Sequence, residues 1–381
     1  MQFNFQNVRI FEPKTEQLFL LYPLLFLALV PFELIFSDAA ALIGTNEFLR
    51  RVLVNVLFLD STHVFLTFFV LMRLPEFKTW SRDKDSKTAA WFYIRLLLIF
   101  FILLFYFNYP WPEKNGPWEL ELITMIIAFM PIQHSMYQIR GLSLAYNAGA
   151  RSELFETAKD PTEVSHSLNR MKTSERWEKA AFILFFIGII GKRVIRKQDN
   201  FISRGLNTTE LWMLELIFYG FVLAAGLAFL KSLWDLGKPG SIGLTGKFIH
   251  LSRLIAYPLM SVSLIAANLI SIFHGIDYYL VIRKMVKASK TSEEERKINL
   301  KVINLTLLIT GILFTVLTYW RFVTFGEPVL PVTLLFLNGL VGAISYLHYY
   351  LDRIIFRMRD PEARRLIAPL ILPATSARST N

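Results

Sequence analysis

Residues 96–107 read LLLIFFILLFYF, twelve positions whose only polar atom is a tyrosine hydroxyl. Residues 18–36 are nearly as apolar, with one glutamate. A hydrocarbon core takes about 20 such residues per helix, and the chain supplies that length repeatedly. Candidate spans fall at 17–36, 51–72, 90–108, 119–140, 211–235, 254–281, 302–320 and 330–351. In lipid every backbone polar group must be satisfied within the segment, so runs of this kind fold as helices. The expected fold is all-α: a polytopic transmembrane bundle forming one integral membrane domain over 1–381.

Charge orients the spans. The chain carries a net +11, and cytoplasmic loops of membrane proteins collect Lys and Arg. With eight spans, one face holds 31 basic residues and the other 6. Both termini then lie on the basic, cytoplasmic side, along with the connecting segment 147–209 and the tail 359–381. A ninth apolar stretch, 180–190, is only eleven residues long and is flanked by Lys192, Arg193, Arg196 and Lys197. If it crossed alone, every later loop would invert. It is therefore expected as part of an interfacial or re-entrant helix over 178–197, with a helix break before it at Asp160-Pro161. The N-terminus lacks the basic region and cleavage site of a signal peptide, so the first span is expected to be retained. The basic excess is thereby explained without nucleic acid, and the expected setting is a bacterial-type inner (plasma) membrane. The run GKPGSIGLTGK at 237–247 has the wrong spacing for a phosphate-binding loop, and Phe248 stands where a magnesium-holding hydroxyl would be needed.

The chain contains no cysteine, which excludes disulfides, iron–sulfur clusters and thiolate metal sites. Histidine is left as its principal borderline-soft ligand, and four of the six His lie in the spans. Ionisable groups there are costly and mark functional sites. Each of the four has a polar residue one turn away: Asp60 with His63, Gln138 with His134, Asp277 with His274, and Asp352 with His348. A ligating imidazole needs its second ring nitrogen hydrogen-bonded, and such neighbours can orient it. The four histidines are therefore the expected metal ligands, and Asp60, Gln138, Asp277 and Asp352 the groups that orient them. Orientation agrees, because all four His-bearing spans run from outside to inside in the eight-span arrangement. Imidazole suits iron, copper and zinc, and an all-His site favours Fe(II) chemistry on a lipid-soluble substrate. Arg140, Tyr137, Tyr278 and Arg353 stand where a substrate or lipid headgroup would meet this site. His166 and His250 read as surface residues. Two other classes fit the same residues: a proton-coupled transporter using intramembrane Asp/His pairs, and a b-type haem protein with bis-His ligation. Zinc is the other candidate metal.

The segments His274-Gly-Ile-Asp277 and His348-Tyr-Tyr-Leu-Asp352 resemble the HGxxD-type and H-x₃-D elements of the Brp/Blh β-carotene dioxygenase family, with one residue fewer between His274 and Asp277. The resemblance covers these two motifs and the hydrophobic layout. It implies a multi-span membrane oxidoreductase in which helix-borne histidines hold non-haem iron. The Asp60–His63 segment and the run from His134 to Asn147 have no counterpart in that resemblance. Membrane desaturases carry clustered HxxxH and HxxHH boxes, which this chain lacks.

Overall fold

The computed structural model describes residues 62–77, 86–108, 118–157, 160–196, 206–236, 253–259, 264–324, 332–356 and 361–372, with isolated positions within 10–31 and 247–251. Among them every regular element is helical: α1 (Val64–Arg73), α2 (Ser86–Asn108), α3 (Trp118–Thr157), α4 (Pro161–Arg196), α5 (Thr208–Leu236), α6 (Ala256–Leu259, entered through a 3₁₀ turn at Arg253–Ile255), α7 (Leu264–Ala288), α8 (Glu293–Thr324), α9 (Val332–Ile355) and α10 (Pro361–Ile371). By length and composition, Thr208–Leu236 and Glu293–Val316 are able to cross a membrane. The first expected span, 17–36, lies almost wholly outside the described residues, as do 51–61 of the second.

Local chemistry sets the helix ends. Asp160 precedes Pro161, which needs no amide partner at a first helical position. Its carboxylate accepts from the Thr162 hydroxyl at 2.5 Å and the Thr162 amide at 2.9 Å. Those bonds, the hydroxyl's first, hold the Asp160 carboxyl below its ordinary value. Asn207 and Glu210 cap α5 reciprocally: the Glu210 amide donates to Asn207 Oδ1, and the Asn207 amide to Glu210 Oε2. The Ser292 hydroxyl receives the Glu295 amide, and three glutamates occupy the first turn of α8, where the helix dipole favours them. α1 stops at Leu74, whose extended backbone is the one a residue before proline prefers.

The chain divides into two compact units. Unit 1 comprises 1–34, 112–270 and 372–381; unit 2 comprises 35–111 and 271–371, and α7 passes from the first into the second. In unit 1, α3, α4 and α5 run antiparallel in turn. Ser143 bonds Glu178 while Asn147 bonds Glu175, so α4 descends as α3 ascends. Along α4 and α5, Ser174 bonds Ser232 and Lys192 bonds Tyr219. The segment 247–257 returns antiparallel to α3, with Lys247 on Asn147 and Tyr257 on Ser135. Ile132, Met136 and Ile139 of α3 form a helical stripe, as do Phe182, Phe185 and Ile189 of α4. These stripes close on Ala225, Leu251, Leu254 and Tyr257 as the unit's core.

This corrects one expectation. Residues 178–197 do not form a separate helix: up to Arg196 they are the second half of the continuous α4, packed along α5. The expected break at Asp160-Pro161 is present, but beyond it no Gly or Pro pair interrupts the helix until residue 196. Close approach to α5 is made possible by Gly188 and Gly191. A Cβ at Gly188 would stand 2.9 Å from the Phe218 carbonyl and 2.8 Å from a Val222 methyl, and one at Gly191 would enter the Phe218 ring. Gly188→Ala is expected to destabilise the hairpin by about 1–3 kcal/mol, because the backbone carbonyl cannot yield as a side chain can. Denaturant unfolding in detergent measures this, and an unchanged midpoint would refute the close packing.

In unit 2, α9 packs on α2, α1 and α8. Tyr279 of α7 donates to Asn304 of α8 at 3.0 Å, and Arg283 donates to Tyr279. Thr310 and Thr315 return their hydroxyls to carbonyls one turn earlier, which satisfies them inside an apolar helix.

Candidate metal centre

Three helices of unit 2 each bring a histidine to one point. His63 sits at the N-terminal edge of α1, His274 in the middle of α7 and His348 in the last third of α9, and all three are buried. The ring centroids lie 4.3 Å apart for His63–His274, 5.0 Å for His63–His348 and 6.5 Å for His274–His348. One nitrogen of each ring lies within 4.8 Å of the others. Three nitrogens bound to one ion at about 2.1 Å lie about 3.5 Å from one another, so a shared ion asks for about an ångström of closure at most.

Directly beneath lies a second polar layer: Thr67, Tyr278 and Asp352, all buried. Each stands four residues after one of the histidines, so the two layers are one helical turn apart on all three helices. The three helices therefore run parallel through the site. Thr67 donates to Asp352 Oδ1 at 2.8 Å, and Tyr278 donates to the same oxygen at 2.7 Å. The Thr67 hydroxyl also lies 2.5 Å from the Tyr278 hydroxyl and 2.5 Å from His348 Nδ1. Asp352 itself is 3.5 Å from that nitrogen, so Thr67 stands between ring and carboxylate. A buried carboxylate is tolerable when it is hydrogen-bonded, and here two hydroxyls serve one oxygen.

The remaining expected residues are distributed as follows. Asp277 is buried on α7, one turn from His274. Arg353 is exposed at the end of α9. His134, Tyr137, Gln138 and Arg140 lie on α3 in unit 1, with Tyr137 exposed and the other three half-buried. Asp60 falls outside the described residues. Tyr278, expected near a headgroup, is buried beneath the histidines with its hydroxyl on Asp352.

Sequence reasoning missed Thr67. The available signal was the i+4 spacing, because Thr67, Gln138, Tyr278 and Asp352 each follow a histidine by four. Attention to carboxylates hid the hydroxyl members of that series. No protein-family model, curated protein or solved structure matches this chain.

Proposed function

We propose that this chain is a polytopic membrane metalloprotein in which His63, His274 and His348 hold one first-row metal ion, with iron as the native metal, for oxidative chemistry on a lipid-soluble substrate. The observation that carries this reading is the convergence of three buried imidazoles from three parallel helices. Neutral imidazoles cost less to bury than carboxylates, and three of them leave positions open for a substrate or O₂. The carboxyl of Asp352 beneath them, when ionised, would offset part of the ion's charge. The contact between the rings favours a bare ion over haem, because a porphyrin between two axial histidines would force their rings onto opposite faces. The motif resemblance to the Brp/Blh family points to the same metal and reaction class.

Apolar side chains cover the outside of the helices. Trp91, Leu98, Phe101 and Phe105 are exposed on α2, and Leu305, Ile309 and Ile312 on α8. On α5, Trp212 and Trp234 are 64% and 78% exposed with apolar residues between them. Twenty-two residues of helix separate them, about 33 Å, which matches a hydrocarbon core of about 30 Å with aromatic residues at both interfaces.

The packing supports one topology over the eight-span arrangement. Residues 180–190 lie beside the middle of α5, so the two share a depth and insert as a hairpin. The return of 247–257 beside α3 then cancels the inversion that a lone ninth span would cause. α7 and α9 keep the direction of α1, as their common register requires. The charge asymmetry survives, with 28 basic residues inside and 9 outside.

Two measurements test the reading. Protein purified in detergent is expected to carry close to one metal ion per chain; folded protein that neither retains nor takes up metal would overturn the site. The absence of native cysteine makes single-cysteine labelling clean. Ser203→Cys should react with an impermeant maleimide from outside and Gly240→Cys only from inside. The reverse pattern would restore the eight-span arrangement.

A further inference from the structure

We propose that Thr67 is a positioning residue that holds His348 with its proton on Nδ1, so that Nε2 faces the ion with a free electron pair; this rests on the metal-site reading above. The number of available hydrogens fixes the arrangement. A hydroxyl has one hydrogen to give and two lone pairs to receive with. Asp352 Oδ1 accepts from both neighbouring hydroxyls. Thr67 spends its hydrogen on Asp352 Oδ1 at 2.8 Å. The Tyr278 hydrogen goes to the same oxygen at 2.7 Å and is shared with Thr67 at 2.5 Å. Nothing on Thr67 is left to give to His348 Nδ1, also 2.5 Å away. That contact must therefore take its hydrogen from the ring. A neutral imidazole has one N–H, so Nε2 carries the lone pair that a metal requires.

The wiring differs from a direct carboxylate–histidine pair. At 3.5 Å from His348 Nδ1, Asp352 is too far for that bond. The carboxyl group reaches the ring through one hydroxyl. The layer also bears on metal choice. With the carboxylate engaged one turn below, the ligand layer offers imidazole nitrogen, which suits zinc, copper and iron and disfavours magnesium and calcium.

The test uses the full chain in detergent, with Zn²⁺ as a redox-silent probe, in wild type, Thr67→Val and Thr67→Ser. Valine keeps the shape and removes the hydroxyl; serine keeps the hydroxyl. Loss of a partner of this kind lowers metal affinity by about 10–100-fold. The expected result is that loss in Thr67→Val, with Thr67→Ser within a few-fold of wild type. Nitrogen-15 spectra of the His348 ring should show the Nδ1–H tautomer in metal-free wild type and Thr67→Ser, and a mixture in Thr67→Val. Equal zinc affinity in wild type and Thr67→Val would overturn the proposal, as would an Nε2–H ring in wild type. If Thr67→Val fails to fold, the wild-type ring spectrum and the Thr67→Ser affinity decide. Wild type that binds no zinc would overturn the metal reading and this proposal together, an outcome separable from zinc binding that ignores Thr67.

Discussion

His348→Ala is expected to abolish metal binding, with an affinity loss of about 10³-fold or more. A structural zinc site contributes roughly 10–16 kcal/mol, so one of three protein ligands accounts for several kcal/mol. His63→Ala and His274→Ala should each lose metal by that route. His348→Ala should be the most damaging. It removes a fully buried ring as well as a ligand, and it takes away the N–H that Thr67 accepts. A cavity then opens beside a buried carboxylate whose hydrogen-bond network is broken. Metal analysis of the three purified variants, with an unfolding curve for each, reads both effects. Full metal content in any one of them would remove that histidine from the ligand set.

Lys247→Met is expected to destabilise unit 1 by about 3–5 kcal/mol, the usual cost of breaking a buried ion pair from one side. Lys247 Nζ lies 2.6 Å from Glu178 Oε2, and neither side chain is more than 1% exposed. Ser143 donates to the same glutamate oxygen, and Lys247 also donates to Asn147 Oδ1. Asn147 in turn donates to Glu175, which pairs with Arg151. The network joins α3, α4 and the returning segment at 247, so an uncompensated Glu178 would load all three. Domains hold only about 5–15 kcal/mol in total, and such a loss is a large share. The double variant Lys247→Met with Glu178→Leu should recover most of it, since two apolar groups leave no orphan charge. Denaturant midpoints of wild type, single and double variants make the comparison. A single variant as stable as wild type would show that the pair contributes nothing.

Much of the site was legible because its logic is local. Residues one turn apart on a helix are neighbours whatever the rest of the chain does. That His348 and Asp352 share a helix face could be read from spacing alone, and the same spacing, extended to hydroxyls, would have pointed to Thr67 and Tyr278; that Thr67 stands between ring and carboxyl could not. The common direction of α1, α7 and α9 was legible from alternation of spans and loop charge. The hairpin was not. Eleven apolar residues at 180–190 look too short to cross, and a basic flank follows them. What completes that stretch is its neighbour: Ser174 meets Ser232, Gly188 meets the backbone of α5, and Lys192 donates to Tyr219 and lies over its ring. Lys247 likewise closes the glycine-rich run 237–247, where nothing local marks it for burial, and its carboxylate partner is 69 positions earlier in the chain.

The amino-acid sequence by itself determined the helical character, the capped starts of α4, α5 and α8, and which helices carry imidazoles. Those features depend on contacts within a turn or two, where helix geometry is invariant. Only the tertiary structure decided which histidines share a point in unit 2, which hydroxyls stand beneath them, and that 180–190 runs beside α5. The register between helices is set by how side chains from distant segments interlock. A glycine or a buried lysine acquires its role from the surface it meets, not from its neighbours in the chain.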